Sequence, residues 1–318
     1  MDVLILGLSS IVSRRALPAL RALPRVGRID LATRKASDPA VRASWEDGEI
    51  YADYAEALSH SSAELVYVSL VNSEHEPWTR AALEHDRHVV VDKPALLGRA
   101  SAETLVDLAA RRSRCLAEAT VFGYHPQIAM IQQAFADAGL APTRISVLLS
   151  FPPLDPGNFR YQPSLGGGAL WDVGPYLVAA SRVFFGEEPS TTDCRILARG
   201  GDGVELAFSA LGGFPGGRSL MGHFGFDTAY CNRLQLIGPT ISLELDRAFT
   251  TPGDYANTIR GTVADQPVSI AVPPADSFGL FFDHLTERIE AADWRQLTAD
   301  LLMDARSLER YRATAGVL

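Results

Sequence analysis

Cysteine is scarce in this chain of 318 residues: Cys115, Cys194 and Cys231 are the only three, and they lie far apart. That excludes a disulfide framework and a cysteine-built metal cage, and it fits a reducing compartment. Positive charge is also in short supply, with 29 Lys and Arg against 38 Asp and Glu and a formal net charge of −9. Nucleic acid and anionic membrane both need dense cationic patches, so neither is expected as the main partner, whereas a small molecule is. No window approaches the ~18 continuous apolar residues of a membrane span. The opening Met1-Asp2-Val3-Leu4-Ile5-Leu6-Gly7 has an acid where a signal peptide needs a basic segment, and its apolar run is short. It reads as a buried strand, and the expected compartment is the cytoplasm.

What is present divides the chain in two. From residue 1 to 118, short apolar runs (Val3 to Leu6, Arg28 to Thr33, Leu65 to Leu70, His88 to Val91) alternate with helical segments (Ser13 to Leu23, Asp53 to Leu58, Glu76 to His85, Ala102 to Arg112). Strands separated by helices imply right-handed βαβ units, so an α/β, doubly wound parallel sheet of Rossmann type is expected here. Residues 119–318 read differently, with helices at Pro126 to Gly139, Leu170 to Phe185, Phe278 to Ala292 and Thr298 to Thr314. Between them lie β-type runs at Arg144 to Phe151, Val204 to Leu211, Ser219 to Phe226, Arg233 to Ile237, Thr240 to Leu245 and Val268 to Val272. Short turns between consecutive strands predict a C-terminal α+β domain with a mostly antiparallel open sheet.

Two motifs carry the chemistry. Gly166-Gly167-Gly168-Ala169-Leu170-Trp171-Asp172-Val173-Gly174-Pro175-Tyr176 pairs a triple glycine with a helical run. Glycines let backbone lie close to a ligand, and the helix would carry Asp172 and Tyr176 on one face at an i, i+4 spacing. Upstream, Val90-Val91-Asp92-Lys93-Pro94 puts a cation at the mouth of a strand, where α/β proteins bind ligands. A lysine and a tyrosine together suggest carbonyl chemistry.

The first strand runs into Gly7-Leu8-Ser9-Ser10-Ile11-Val12, the right place for a dinucleotide fingerprint, but only Gly7 matches G-x-G-x-x-G. Ser9 adds a Cβ where the pyrophosphate approaches closest, although its hydroxyl could donate to a phosphate at the helix start; the alternative is an ordinary strand-to-helix turn with a serine cap. About twenty residues on, an acid would select NAD and an arginine would accept a 2′-phosphate. Here stand Thr33, Arg34 and Lys35, which favour NADP(H) over NAD(H) unless they form only a solvated basic turn.

These residues resemble the glucose-fructose oxidoreductase/inositol dehydrogenase (Gfo/Idh/MocA) family. Val68-Ser69-Leu70-Val71-Asn72-Ser73-Glu74-His75 is similar to its loop after the fourth strand, Asp92-Lys93-Pro94 to its Glu-Lys-Pro signature, and Phe122-Gly123-Tyr124-His125-Pro126 to its interdomain segment. The resemblance implies cofactor contacts from Gly7, Ser9, Ser10, Ile11, Thr33, Arg34, Lys35, Leu70, Asn72, His75, Asp92, Lys93, Pro94 and Glu118. It further implies a homodimer or homotetramer formed through the C-terminal sheet. Many members end the last motif in His, whereas this chain has Tyr176.

Reduction of a ketone needs a donor aimed at the oxygen and a cation nearby. Lys93 and Tyr176 supply both, with Asp172 orienting substrate hydroxyls or holding Lys93; the plain alternatives are a surface lysine, a core aromatic and a helix-start acid favoured by the dipole. Arg160 and Tyr161 would reach a polar substrate or a nucleotide diphosphate. Trp171 would pack a sugar ring or the core, and Tyr124 and His125 would line the substrate, His125 being equally a structural residue. His85 and His88 face different ways, so no metal site is expected. The expected function is hydride transfer between NADP(H) and a sugar or nucleotide-sugar carbonyl or hydroxyl, in polysaccharide or deoxysugar biosynthesis. The rivals are a non-catalytic NADP-binding regulator and a nicotinamide-dependent glycosidase.

Overall fold

A computed structural model describes residues 1–317 as two units, one formed by 1–119 with 278–302 and the other by 120–277 with 303–317. In the first, β1 (Val3–Leu6), β2 (Ile29–Ala32), β3 (Ile50–Tyr51), β4 (Leu65–Val68), β5 (His88–Val91) and β6 (Leu116–Glu118) pair in parallel in the order β3-β2-β1-β4-β5-β6. Apolar runs with no polar alternation, VLIL and HVVV, are what a sheet covered on both faces requires. The strand order reverses between β1 and β4, and ligands of such sheets bind at that reversal, outside the carboxyl ends of the strands. Two short strands, β3 and β6, escape the sequence reading because two or three residues carry too little periodicity.

Residues 278–302, expected with the second domain, belong to the first unit. Helix Ser277–Glu290 buries Phe278, Phe281, Phe282, Leu285 and Ile289, an apolar stripe at helical spacing, and the Phe282 ring meets Tyr67 of β4 edge-on at 5.5 Å. The stripe is visible in the sequence, but its partner, about two hundred residues earlier in the chain, is not.

His88 opens β5, and its Nδ1 accepts the Cys115 backbone N–H at 3.0 Å. Burial, with help from Arg114, pushes this imidazole down to about 4. The unfolded imidazole takes up its proton near pH 6.5, so between that pH and about 4 the unfolded chain binds more protons. Stability is therefore expected to fall as pH drops through this window, with buried His75 acting in the same direction. Denaturant titrations at about pH 7.5 and about pH 4.5 check it. His88→Asn, whose amide oxygen can still take the Cys115 N–H, should show a smaller fall; an unchanged fall would remove His88 as its source.

The second unit is one nine-stranded sheet. It holds β7 (Arg144–Ser150), β8 (Thr191–Arg199), β9 (Glu205–Phe214), β10 (Arg218–Gly225), β11 (Cys231–Ile237), β12 (Ile241–Asp246), β13 (Asn257–Val263), β14 (Gln266–Val272) and β15 (Ala315–Val317). Their order is β14-β13-β12-β11-β7-β10-β9-β8-β15, antiparallel except at β7–β10 and β15–β8. Alternating burial along β7, β10 and β12 puts Ile145, Val147, Leu220, Phe224, Leu243 and Leu245 on an inner face with helices Pro126–Asp137 and Gly174–Phe185. The outer face is open, with Leu211 and Met221 about half exposed side by side. Strands β8 and β13 escaped the sequence reading because Asp193, Arg195 and Arg260 on the open face interrupt their apolar pattern. No helix among the described residues is long and apolar enough to cross a membrane.

Candidate active site

The dinucleotide loop is built around one obligatory glycine. Gly7 has φ +99°, and a Cβ there would sit 2.3 Å from the Ser69 carbonyl oxygen and 2.7 Å from Leu70 Cδ2. No L side chain fits, so β1 and β4 come together at this point. The following helix starts at Ser10 rather than Ser13 and is π-wound over Val12–Ala16, with the Ser9 Oγ accepting the Val12 N–H at 3.1 Å. Ser10 is exposed and Ile11 partly so, at a helix start whose dipole suits a phosphate.

At the end of β2, Thr33 is buried and its Oγ1 accepts the Lys35 N–H at 3.2 Å, while the Arg34 and Lys35 side chains are exposed. The buried hydroxyl shapes the turn and leaves two cations beside the loop. An adenosine 2′-phosphate fits this donor set better than a bare ribose does.

The Asp-Lys-Pro segment follows β5. Asp92 keeps some accessible surface yet is densely surrounded, and this desolvation pushes its carboxyl above the ordinary range against the opposing effects of Ser69, Tyr67, His75 and Lys93. Both carboxylate oxygens accept hydroxyls, one from Tyr67 and one from Ser69. Lys93 is half-buried, and its peptide to Pro94 is cis. His75, buried, sets its ring nitrogens against the carbonyls of Pro94 at 2.8 Å and Leu70 at 3.1 Å, and burial lowers its proton affinity. The Glu118 carboxylate accepts the Ala95 N–H at 2.8 Å. Asn72 begins helix Asn72–Glu84 two residues after Leu70. Gly7, Ser9, Leu70, Asn72, His75, Asp92, Lys93, Pro94 and Glu118 thus gather on the carboxyl edge of the parallel sheet, with His75 and Glu118 bracing the segment that carries Lys93.

In the second unit the triple glycine serves the chain's own packing. A Cβ on Gly167 would meet the Arg160 carbonyl at 2.6 Å, and one on Gly168, where φ is +113°, would meet the Glu205 carboxylate at 2.7 Å. The expected continuous helix is broken: Ala169–Asp172 ends at Val173, φ −114° and ψ −13°, and Gly174–Phe185 begins anew. Pro175 has no N–H to continue the ladder, so Asp172 closes one helix and Tyr176 lies in the first turn of the next.

Arg160 packs against the first of these two helices. Its Nε lies 2.7 Å from the buried Asp172 carboxylate and its guanidinium stacks 4.8 Å over Phe159. Burial works against the Arg160 charge, but Asp172 and, more weakly, Tyr176 outweigh it and hold the guanidinium above its usual range. Tyr176 is half-buried, its ring fixed against Phe249 at 5.3 Å and Phe122 at 6.1 Å.

Three of the expected substrate residues make contacts within the chain itself. The Trp171 ring is covered by the Arg312 guanidinium at 3.7 Å, a residue no local sequence signal connects with it. His125 is buried and caps helix Pro126–Asp137, its Nδ1 accepting the Gln127 N–H at 3.3 Å. The Tyr161 hydroxyl accepts the Leu154 N–H at 2.8 Å, clasping loop 154–161 beside a cavity of about 320 Å³ lined also by Pro156, Asp202 and Val204. Tyr124 stays half-buried. Among the described residues no cluster of His, Cys, Asp or Glu is placed to hold a metal ion.

Residues 1–120 match the oxidoreductase family with an NAD-binding Rossmann fold, and residues 141–244 match the GFO/IDH/MocA C-terminal domain. A dTDP-3,4-didehydro-2,6-dideoxy-alpha-D-glucose 3-reductase from Streptomyces antibioticus is 30% identical over 316 residues, 98% of this chain and 96% of that one. The chain belongs to the GFO/IDH/MocA oxidoreductase family. It is an oxidoreductase, and both expected architectures, the Rossmann sheet and the mostly antiparallel C-terminal sheet, are those of the family. A 3-ketoreductase from Actinomadura kijaniata, solved with NADP and TDP-benzene, superposes with a TM-score of 0.94 at 27% identity, over 100% of this chain and 98% of that one. That enzyme has also been solved with a lysine changed to alanine and with a tyrosine changed to phenylalanine. An NADP(+)-dependent D-xylose 1-dehydrogenase from Haloferax volcanii is 25% identical over 91% of this chain and 89% of its own length.

Proposed function

We propose that this family member uses NADP(H) to reduce the keto group of a sugar carried on a nucleoside diphosphate, in deoxysugar or polysaccharide biosynthesis. The observation that carries this reading is the end-to-end likeness to 3-ketoreductases, one of them holding NADP and TDP-benzene. Lys93 and the Arg160–Asp172–Tyr176 cluster give the chemistry its groups. A nicotinamide cofactor, when bound, would supply the hydride. As hydride reaches carbon, charge develops on the carbonyl oxygen; the Lys93 ammonium stabilises it and the Tyr176 hydroxyl delivers the proton. Asp172 orients Arg160, whose guanidinium favours the tyrosinate left behind.

The test is oxidation of NADPH, followed by absorbance, with a nucleotide-linked 3-keto sugar against the free sugar. Stoichiometric cofactor turnover confined to the nucleotide-linked ketone is expected. Turnover only with free sugars would overturn the substrate class, and product formation with no net cofactor oxidation would return the glycosidase reading.

Arg34→Ala is expected to weaken NADPH binding about 10- to 100-fold, the worth of a charge-assisted phosphate contact, and to leave NADH binding unchanged. Calorimetry with both cofactors measures this. Equal affinities in the parent protein, or an equal loss for both, would remove the 2′-phosphate from the argument.

A further inference from the structure

Four hydroxyl and carboxylate side chains at the carboxyl edge of the first sheet form one connected row. The Ser9 Oγ lies 2.9 Å from the Ser69 Oγ; Ser69 and Tyr67 both donate to Asp92. The row crosses the ends of β1, β4 and β5, adjacent strands whose spacing the backbone fixes: the Ser69 N–H donates to Leu6 at 2.9 Å and the Asp92 N–H to Val68 at 2.9 Å. Tyr67 is fully buried against Phe282, so its hydroxyl has little freedom to turn elsewhere.

With the Asp92 carboxyl ionised, counting protons sets the direction of each bond along the row. Ser69 has one hydroxyl proton and spends it on Asp92, so towards Ser9 it accepts, and Ser9 must donate. The Ser9 oxygen in turn accepts the Val12 N–H. Each donor therefore points along one line, from the helix start through Ser9 and Ser69 to Asp92. The Ser9 hydroxyl proton points to Ser69, and each Asp92 oxygen accepts one hydroxyl, from Tyr67 or Ser69.

We infer that Asp92 is a positioning residue for Lys93, and that the serine replacing the fingerprint glycine at position 9 ties the start of the cofactor-binding helix to it through Ser69. The inference rests on the reading of Lys93 as the catalytic cation. Asp92 adjoins Lys93 in the chain, and an anchored carboxylate fixes the backbone from which the lysine projects. Misplacing a catalytic group by about 1 Å costs about 10²-fold in rate. Asp92→Asn presents an amide donor to one of two hydroxyl donors, so one of Tyr67 and Ser69 must turn away. Asp92→Glu keeps both acceptor oxygens.

The experiment compares Asp92→Asn, Asp92→Glu, Ser69→Ala and Ser9→Gly. Asp92→Asn is expected to lower kcat about 10²-fold with the NADPH Kd within a few-fold of the parent, and Asp92→Glu to recover most of the loss. In the cofactor-free protein, Asp92→Asn is expected to speed amide exchange about 3-fold or more in the segment holding Val12, though that amide lies on another strand's connection, because the cap it feeds is loosened. Ser9→Gly, the mildest change, should lower kcat rather than tighten NADPH binding as a restored fingerprint would. An unchanged kcat in both Asp92→Asn and Ser9→Gly, or an Asp92→Asn loss that appears wholly as weaker NADPH binding, overturns the inference. Failure of the underlying reading has a different mark: Lys93→Ala would then still turn over.

Discussion

Lys93→Ala is expected to lower turnover by about 10³-fold or more, because a cation serving a developing alkoxide acts in the transition state and little before it. NADPH binding should change only slightly, since Ser10, Arg34 and Lys35 lie at the ends of β1 and β2 and do not depend on the ammonium. The fold should persist, because Lys93 is half-buried and the segment around it is held by His75 on Pro94 and by Glu118 on Ala95. Single-turnover kinetics beside a thermal melt and a cofactor titration read the three quantities separately. Turnover within about 10-fold of the parent, less than one missing charge stabiliser is worth, would return Lys93 to a strand-end surface residue.

Tyr176→Phe is expected to slow hydride transfer about 10²-fold, the usual worth of a positioned proton donor. The substitution deletes one hydroxyl and keeps the ring, which stays packed on Phe249 and Phe122, so the melting temperature should hold. The same cluster gives the effect a companion. Removing the Arg160 charge, which lies within electrostatic reach of Tyr176, should shift the basic limb of the pH–rate profile upward, because a cation favours tyrosinate. Arg160→Gln tests it. A rate that held in Tyr176→Phe while the melt fell would make Tyr176 a hydrogen-bonded packing residue.

The motifs lay open in the sequence because each is contiguous. Asp92-Lys93-Pro94 and Gly166 to Tyr176 bring their residues together by chain connectivity alone. Even there, connectivity misled over one turn: Asp172 and Tyr176 have the i, i+4 spacing of one helix, but Pro175 divides them between two, and Arg160 pairs with Asp172 within electrostatic reach of Tyr176. Trp171, whose neighbours in the chain leave a sugar ring and the core as equal partners, carries Arg312 over its ring, a contact that no local signal announces. Of the two readings of Ser9, a phosphate contact or a serine cap, the structure shows the cap on Val12, and nothing in Gly7 to Val12 announces Ser69 as its further partner.

Sequence by itself determined the alternation of strands and helices, the fold class, the cationic turn after β2 and the lysine after β5. All of these follow from local pattern and from the few ways a parallel sheet can be wound. Tertiary structure decided the rest: that residues 278–302 return to the first unit, that the triple glycine yields to Arg160 and Glu205, and that Asp92 is surrounded by hydroxyls. The physical reason is range. Backbone propensity and hydrophobic period act over a few residues, whereas the identity of a hydrogen-bond partner or a packing face is fixed only when strands distant in the chain are brought side by side.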